Sequence, residues 1–508
     1  MQFIVRLAPE ISIKSAPVRR RLTAVLRLNV VNAAQRRGLC VQAQAQWDKL
    51  LVRARLADNA GCADDHALEQ ELRDLLECTP GIHSFMLARP APLTDFAGVY
   101  AAAAPVYAAQ VCGRRFAVRV RRRGSHSFRS RDVECALGAM FLRDCPGSQV
   151  DLTTPEVTVR VEIDAEQVYV VTSPQPGLGG FPLSTQGQVL ALVSGGFDSA
   201  VAAFRALRRG LVVHYLFFSL GGSVQEQGVM QTCLRLWRRY GASHRVRFVS
   251  VPFEQAAAQI VERTHHGVRG VLLKRLMLRV AGELALRLGL QAVVTGESVG
   301  QVSSQTLTNL AHIDRACPVL VLRPLSCCDK QEIIDDAERL GTAELARAMP
   351  EYCAVISDHP NVCPRSAQVE EQEALLDAGL CEQLLAQVRV LDIRSLEECT
   401  RQLQAGVEVV AAPGPGETVI DIRTPEEVRS SPLALECLEL PFYRLLGEFA
   451  ALDPSRTYVL YCAQGVMSRL QAQQLRERGH SNVKVLELTD AARCRRRAPP
   501  RPEAVSTP

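Results

Sequence analysis

The chain has 508 residues, of which 47% are hydrophobic and 22% charged, and its formal net charge is +5. One hydrophobic core rarely serves so long a chain, so we expect three or four domains. The composition excludes a disordered protein, and no apolar stretch has the length of a signal-peptide core or a membrane span. We therefore expect a cytoplasmic protein with no membrane partner.

The first 170 residues mix strand-like runs, such as "FIVRL" and "VTVRVEID", with amphipathic helices, which predicts an α+β fold. Within them, "GRRFAVRVRRRGSHSFRSR" contains arginines but no acidic residue. These arginines are Arg114, Arg115, Arg119, Arg121, Arg122, Arg123, Arg129 and Arg131. Apolar and basic residues alternate as in a strand with one basic face. Such a strand is either a solvated edge or a phosphate-binding surface, and the density of uncompensated charge favours nucleic acid.

The pattern changes after "SPQPGLGGFP" (173–182), which predicts a linker. Apolar strands "VLALV", "VVHYLFF", "RVRFVSV" and "QAVVTG" then alternate with helices, which predicts a doubly wound parallel sheet. A mostly helical segment follows to about residue 400. Beyond "AAPGPGE" (411–417) the pattern predicts a compact α/β unit, and the Arg/Pro-rich end has the composition of a disordered tail.

"LVSGGFDS" is a candidate phosphate loop, because it connects an apolar strand to the helix "AVAAFRALRRG". Gly195 and Gly196 allow the backbone to bend around an anion, and we expect Asp198 or Ser199 to cap the helix. No Lys-Ser/Thr follows the glycines, so this is not a Walker loop. The alternative is a glycine-rich turn without a ligand.

Seventeen cysteines are scattered without any C-x-x-C pair, and most are expected to be small buried hydrophobic residues. Cys462 differs, because the strand "YVLY" precedes it and we expect a helix to open at Ser468. Backbone N–H groups and a helix N-terminus there would stabilise a thiolate or a persulfide anion. A Cys-x5-Arg phosphatase would need an arginine at position 468, whereas a rhodanese loop needs only N–H groups. A buried thiol is the alternative.

Several further stretches resemble, in the same order, those of the tRNA 4-thiouridine synthetase (tRNA sulfurtransferase) family. They are "PEISIKS", "RVRRRGSHSF", "GLGGFP", "LVSGGFDS", "ASHRVRF", "TGESVGQVSSQTLTNL", "MPEYCAVIS", the rhodanese-like "DIRTPEEV" and "GVMSRLQA". The resemblance covers nearly the whole chain and implies an α/β multidomain enzyme. Its parts would be an N-terminal ferredoxin-like domain (1–69), a THUMP RNA-binding domain (70–174), a doubly wound parallel-sheet ATP pyrophosphatase domain (175–400), a rhodanese domain (404–490) and a disordered tail (491–508).

The resemblance also implies functional residues. ATP contacts would be made by Leu192, Val193, Ser194, Gly195, Gly196, Ser199, Lys274, Gly296 and Gln305. Asp198, acting through Mg²⁺, and Lys330 would serve adenylation, although Lys330 read alone could be a surface helix lysine. ATP and Mg²⁺ are the implied cofactors, with no pyridoxal phosphate and no protein-bound metal on this chain.

The implied reaction adenylates the uridine at tRNA position 8 and replaces its oxygen with persulfide sulfur from Cys462. Cys353 would then attack Cys462, leaving a Cys353–Cys462 disulfide; release of free sulfide by Cys353 is an open alternative. The implied partners are tRNA, a cysteine desulfurase, a cytosolic disulfide reductant and the thiamine thiazole pathway. Arg119, Arg121, Arg122 and Arg123 would contact the tRNA. The family suggests a homodimer, although no residue here shows it.

Two rival functions are open to such a chain. An ATP pyrophosphatase making another product, such as an amidating synthetase, would need an ammonia source, and no glutaminase nucleophile motif is found. A non-catalytic RNA-binding sulfur carrier would have an altered phosphate loop or lack Cys462, and both are intact. The adjacent Cys327 and Cys328 and the tail are departures from the family.

Overall fold

The computed structural model describes residues 1–55, 65–220, 222–349, 359–396, 398, 407–423, 425–433, 435–462 and 466–487. The chain divides into two compact units. The first unit comprises residues 1–187, 206–212 and 238–245, and the second comprises 188–205, 213–237 and 246–508.

The first unit is an α+β structure, as predicted. Its elements are β1 (Gln2–Leu7), α1 (Pro9–Ser12), α2 (Ala16–Arg36), β2 (Cys40–Ala45), β3 (Lys49–Arg55), α3 (Asp65–Glu77), β4 (Ile82–Pro92), α4 (Phe96–Val111), β5 (Arg115–Arg123), α5 (Ser130–Asp144), β6 (Gln149–Val150), β7 (Val157–Asp164), β8 (Gln167–Val171) and β9 (Gln175–Pro176). One sheet has the strand order β2-β3-β1-β4-β8-β7-β5-β6, and β9 pairs with β4 beside it.

Strand β4 belongs to both halves of this sheet. Its residues 82–87 pair with β1, and residues 88–92 pair with β8. One apolar core lies around Phe3 and Leu72, and another around Phe116 and Phe141. Helix α3 packs in the first of these cores, and the domain boundary expected near residue 69 stays a prediction.

The second unit begins with a six-stranded sheet. The elements of this part of the chain are β10 (Gln188–Leu192), α6 (Phe197–Arg208), β11 (Val212–Ser219), α7 (Gly222–Leu236), a π-helical turn (Trp237–Gly241), β12 (Arg247–Pro252), α8 (Glu254–Arg263), α9 (Arg269–Arg287), β13 (Ala292–Val294), α10 (Leu307–Asp314), β14 (Leu320–Leu322), α11 (Lys330–Leu340), α12 (Ala343–Ala348), α13 (Ser366–Glu373), α14 (Leu380–Ala386) and β15 (Arg389–Asp392). The end of α6, Val212 and the π-helical turn after Trp237 are counted in the first unit. The strand order is β14-β13-β10-β11-β12-β15.

This sheet differs from the all-parallel prediction at one edge, because β15 pairs antiparallel with β12. An antiparallel edge strand on an otherwise parallel sheet is common. Strands β10, β13 and β14 are adjacent and parallel. Their carboxyl ends therefore lie at the same edge, where sheets of this kind bind ligands.

A five-stranded parallel sheet follows in the second unit. Its elements are β16 (Val409–Val410), β17 (Thr418–Asp421), α15 (Pro425–Ser430), β18 (Cys437–Glu439), α16 (Phe442–Glu448), β19 (Tyr458–Tyr461), α17 (Val466–Glu477) and β20 (Val483–Leu486). The order is β16-β20-β19-β17-β18, and each neighbouring pair is parallel. Within the unit, α17 contacts α7 and α12. No helix in the described part of the chain is long and apolar enough to cross a membrane.

Candidate active site

The phosphate loop follows β10 at the carboxyl edge of the first sheet of the second unit. Gly195 has a φ of +90°, a conformation that side chains disfavour, and a Cβ there would lie 3.1 Å from Met349 Cγ. The Ser194 N–H donates to Ser199 Oγ at 3.2 Å, and that hydroxyl donates to Gly196 O at 3.2 Å. Helix α6 begins at Phe197, so the predicted capping by Asp198 or Ser199 is wrong: both residues lie in its first turn.

Gly296 lies where the backbone after β13 meets the phosphate loop. A Cβ at this position would lie 2.7 Å from Asp198 C and 2.8 Å from Ser199 N. Only a glycine permits this approach, because both neighbours are backbone atoms that cannot rotate away. The structure therefore brings two of the predicted ATP-binding stretches into contact.

Asp198 and Lys330 form an ion pair across the site. Lys330 Nζ lies 2.9 Å from Asp198 Oδ1, and Gln301 Nε2 donates to Asp198 Oδ2 at 3.0 Å. Lys330 is the first residue of α11. Both predicted catalytic side chains remain partly accessible, with 44% of the Lys330 side chain and 26% of the Asp198 side chain exposed. A charged pair open to solvent beside a glycine loop can reach a phosphate ligand.

Lys274 reaches the same edge from α9. Its Nζ lies 3.0 Å from Glu297 Oε1, while Arg323 Nε donates to Glu297 Oε2 at 2.8 Å. Burial raises the pKa of the Glu297 carboxyl, but the positive charges of Lys274 and Arg323 outweigh that effect. The pKa of Glu297 therefore lies below its ordinary value, and the carboxylate is charged at neutral pH.

The remaining predicted ATP contacts are Leu192, Val193 and Gln305. Leu192 ends β10, and the Val193 N–H donates to Leu216 O at 2.8 Å, which keeps the chain in the sheet just before the loop. Gln305 is buried, and its Oε1 has no hydrogen-bond partner in the described structure. A buried amide oxygen without a donor is costly, so this atom suits a ligand that donates a hydrogen bond, such as the adenine amino group.

Cys462 directly follows β19 and is buried in the second sheet of this unit. Its Sγ accepts a hydrogen bond from the Ser468 N–H at 3.3 Å and lies 3.4 Å from Ser468 Oγ. Helix α17 begins at Val466, not at Ser468 as predicted, so the donating N–H belongs to the first turn of the helix. A first-turn N–H and the positive end of the helix dipole both stabilise negative charge on sulfur.

A buried ion pair lies at the end of β17, the strand next to β19. Asp421 is fully buried, and Arg423 contacts its carboxylate with Nε at 2.9 Å and Nη2 at 2.6 Å. The Arg423 guanidinium also lies 5.0 Å from the centre of the Tyr461 ring. Tyr461 immediately precedes Cys462, so Arg423 of the rhodanese-like "DIRTPEEV" stretch packs against the end of β19, directly before the sulfur.

Cys353, the predicted resolving cysteine, lies outside the described residues. The described chain leads to it through α12 and Met349, whose side chain packs against the phosphate loop at Gly195. Helix α12 also contacts α17, the helix that follows Cys462.

The arginine-rich strand is β5 of the first unit. Arg119 and Arg121 are exposed, and Arg122 Nη1 lies 3.0 Å from His126 Nδ1. The charge is less uncompensated than the sequence suggested, because Arg123 pairs with Asp48 at 3.6 Å and Arg115 with Asp151 at 3.0 Å. These acids come from distant parts of the chain, so the local pattern could not reveal them.

Sequence reasoning missed Gln301, Glu297 and Arg323. The first two occur in the quoted stretch "TGESVGQVSSQTLTNL", which was therefore a usable signal, whereas Arg323 follows a three-residue strand with no motif of its own. The unusual Cys328 lies 2.7 Å from Arg205 Nη1, and both it and the exposed Cys327 are free thiols.

Comparison with known proteins gives three family matches. Residues 184–377 match the family described as thiamine biosynthesis protein (ThiI), residues 94–173 the THUMP domain and residues 382–488 the rhodanese-like domain.

Full-length relatives give the same result. A tRNA sulfurtransferase of Shewanella sp. (strain MR-4) is 45% identical over 96% of this chain and 99% of its own length, and one of Tolumonas auensis is 43% identical over the same shares. The crystal structure of a 4-thiouridine synthetase–RNA complex with bound ATP superposes with a TM-score of 0.66 and 25% identity, covering 77% of this chain and 99% of that one.

Fold and site together define a class of protein that joins a THUMP domain, a ThiI-type α/β sheet with a phosphate loop, and a rhodanese-like domain with a cysteine at a helix N-terminus. Relatives at this identity and coverage make the assignment specific. The chain belongs to the tRNA sulfurtransferase family of sulfur-transferring, tRNA-modifying enzymes, which confirms the resemblance found in the sequence.

Proposed function

We propose that this protein uses ATP to convert the uridine at position 8 of tRNA into 4-thiouridine, with Cys462 as the sulfur carrier. The observation that carries the proposal is the presence in one compact unit of two reactive centres. One is the glycine loop with the Asp198–Lys330 pair, and the other is a cysteine sulfur that accepts a first-turn N–H. The relatives named tRNA sulfurtransferase and the 4-thiouridine synthetase solved with RNA and ATP support it.

In the activation step, the phosphates of ATP would lie against the N–H groups of the Gly195–Ser199 turn. Uracil O4 attacks the α-phosphorus, pyrophosphate leaves, and N3 of the uracil loses its proton. Lys330 offers a positive charge to the phosphates. Asp198 is a single carboxylate beside a phosphate site, which fits a Mg²⁺ ion held chiefly by substrate phosphates and water. Such an ion would neutralise charge on the leaving pyrophosphate.

In the sulfur step, the terminal sulfur of a Cys462 persulfide attacks C4, and AMP leaves with the original oxygen. The Cys353 thiolate then attacks Cys462 Sγ, so that the persulfide bond breaks, the sulfur stays on C4 and a Cys353–Cys462 disulfide forms. A dithiol reductant supplies the two electrons that reopen it. Contact between α12, which leads to Cys353, and α17, which follows Cys462, supports this pairing.

The proposed partners follow from this chemistry. The THUMP match and exposed arginines such as Arg119 and Arg121 suit tRNA phosphates. A cysteine desulfurase would load Cys462 in the cytoplasm, and the ThiI match supports a further delivery of sulfur to thiamine thiazole synthesis. A homodimer and the domain boundaries given above are part of the proposal.

The test uses tRNA from a strain that lacks this protein. We expect the near-ultraviolet absorbance of 4-thiouridine to be absent and to return when the intact gene is supplied. Unchanged 4-thiouridine in the deletion strain would overturn the proposed function.

A further inference from the structure

A single buried carboxylate joins two cations at the carboxyl edge of the β10 sheet. Glu297 contacts Lys274 Nζ through one oxygen, at 3.0 Å, and Arg323 Nε through the other, at 2.8 Å. Thr295 Oγ1 donates a third hydrogen bond to this carboxylate at 3.1 Å. Its side chain is 10% exposed. Such a bridge fixes both cations in position.

We propose that Glu297 is a positioning residue of the nucleotide site and that Arg323 is a second cation of that site, binding a phosphate group of ATP together with Lys274. The inference rests on the proposed function. Glu297 follows Gly296, whose Cα allows no side chain beside Asp198, and Arg323 directly follows β14. Glu297 therefore lies just beyond the end of β13, the strand next to β10, and Arg323 lies at the end of β14, one strand further along the sheet, from which it reaches Glu297.

The Arg323 guanidinium retains an unused donor. Nε binds Glu297, Nη1 lies 2.7 Å from Asp314 Oδ1, and the buried Nη2 has no partner in the described structure. A buried donor without an acceptor destabilises the protein. A phosphate oxygen is a fitting acceptor for Nη2, because a hydrogen bond from a charged guanidinium to a phosphate is among the stronger ones in proteins.

A purely structural role for Glu297 is the competing explanation, and the chain contains a matched control for it. Glu373 is another largely buried carboxylate that bridges two cations of α9, Arg275 at 2.7 Å and Arg279 at 2.9 Å. Burial raises its pKa, the two arginines outweigh that effect, and its pKa too lies below the ordinary value. Glu373 thus bridges two cations as Glu297 does, but it does not contact Lys274 or Arg323.

The experiment measures equilibrium binding of ATP to the full-length protein by calorimetry, alongside the KM for ATP and kcat of tRNA thiolation. In Glu297→Gln we expect the Kd and KM for ATP to rise by about tenfold or more, with a smaller change in kcat, because the cations lose their bridge. Glu297→Asp should recover part of the affinity. Glu373→Gln should leave Kd within about twofold of the unchanged protein, even where it lowers the melting temperature as much.

The inference would be overturned if Glu297→Gln bound ATP as tightly as the unchanged protein, or if Glu297→Gln and Glu373→Gln lost ATP affinity equally. Neither result would affect the proposed function. If Glu297→Gln does not fold, Arg323→Lys provides a second test, because it keeps the positive charge but removes Nη2. An unchanged affinity for ATP in Arg323→Lys would overturn the proposed role of Arg323. An unchanged protein that neither binds ATP nor thiolates tRNA would instead overturn the proposed function.

Discussion

Lys330 Nζ lies 2.9 Å from Asp198 Oδ1, although 132 residues separate them in the chain. The contact joins the start of α11 to the first turn of α6, on the loop that we assign to ATP phosphates. Two residues singled out through family resemblance thus meet in the structure. The pair is partly exposed, so its contribution to stability should be small, about 1 kcal/mol or less.

Its contribution to activity should be large. We predict that Asp198→Ala and Lys330→Met each reduce tRNA thiolation by about a hundredfold or more, because each removes charge stabilisation from the ATP step. The double variant should be little worse than either single one, since the two residues act together. Release of pyrophosphate and 4-thiouridine formation are the measurements. Lys484→Met, which breaks partly exposed ion pairs with Glu408 and Glu417 in the other sheet of the unit, is the control. Full thiolation by Asp198→Ala would exclude the proposed ATP step.

Gly296→Ala should abolish ATP binding. The new methyl group would lie 2.7 Å from Asp198 C, so the backbone of the phosphate loop must move. Gly138→Ala, at a helical position with nothing within 4 Å of the added Cβ, is the matched control and should bind ATP normally. Calorimetric titration with ATP distinguishes them. Normal affinity in Gly296→Ala would mean that this approach of the two backbones is not needed for the site.

Substitution of Cys462 and of Cys353 should block different steps of the reaction. Cys462→Ser is expected to lose sulfur loading, tRNA thiolation and any thiazole role. Cys353→Ser is expected to lose thiolation while still accepting labelled sulfur from a desulfurase on Cys462. Labelling of the protein and of the tRNA, measured separately, shows the difference, with Cys40→Ser as a control at an exposed thiol. Normal repeated turnover by Cys353→Ser would contradict its role in resolving the persulfide.

Acid should weaken the second unit through His214. This residue is buried in β11, where its Nε2 lies 3.0 Å from Gln188 Oε1, and burial lowers the pKa of its imidazole from 6.5 to about 4. Between pH 6.5 and 4 the imidazole binds a proton in the unfolded chain but not in the folded one. The free energy of unfolding is therefore unaffected by His214 above pH 6.5 and falls by up to ~3 kcal/mol as the pH drops toward 4.

The midpoint of urea unfolding, measured at pH 7, 5.5 and 4.5, checks this expectation. His214→Gln should be less stable at pH 7 but should lose less stability on acidification than the unchanged protein. Parallel pH profiles for the two proteins would show that another group controls the acid response.

The sequence predicted those parts of the fold and site that local pattern controls. The alternation of apolar strands and helices predicted the β10–β13 sheet, and "LVSGGFDS" predicted the glycine turn between β10 and α6, whose phosphate binding stays a prediction. The antiparallel strand β15 was missed, because strand direction depends on how α13 and α14 return the chain to the sheet. The start of α17 was misplaced by two residues, since Val466 and Met467 are equally suited to a loop or a first helical turn.

Side-chain partners were the least predictable part. The contact between Asp198 and Gln301 spans 103 residues, and that between Glu297 and Arg323 spans 26. Each depends on which strand ends lie side by side, a property of the sheet order β14-β13-β10 and not of any local spacing. Likewise, the sequence suggested that the charge of Arg123 is uncompensated, because its partner Asp48 lies far away in the chain, in the connection between β2 and β3.

The central claim is that sulfur carried on Cys462 reaches tRNA only when ATP has activated the uridine. The direct measurement loads the purified protein with radiolabelled sulfur from a cysteine desulfurase, removes the donor and adds tRNA with or without ATP. We predict label on Cys462 first, and its transfer to tRNA as 4-thiouridine in a single turnover only with ATP. Transfer at the same rate without ATP, or from Cys462→Ser protein, would contradict the account.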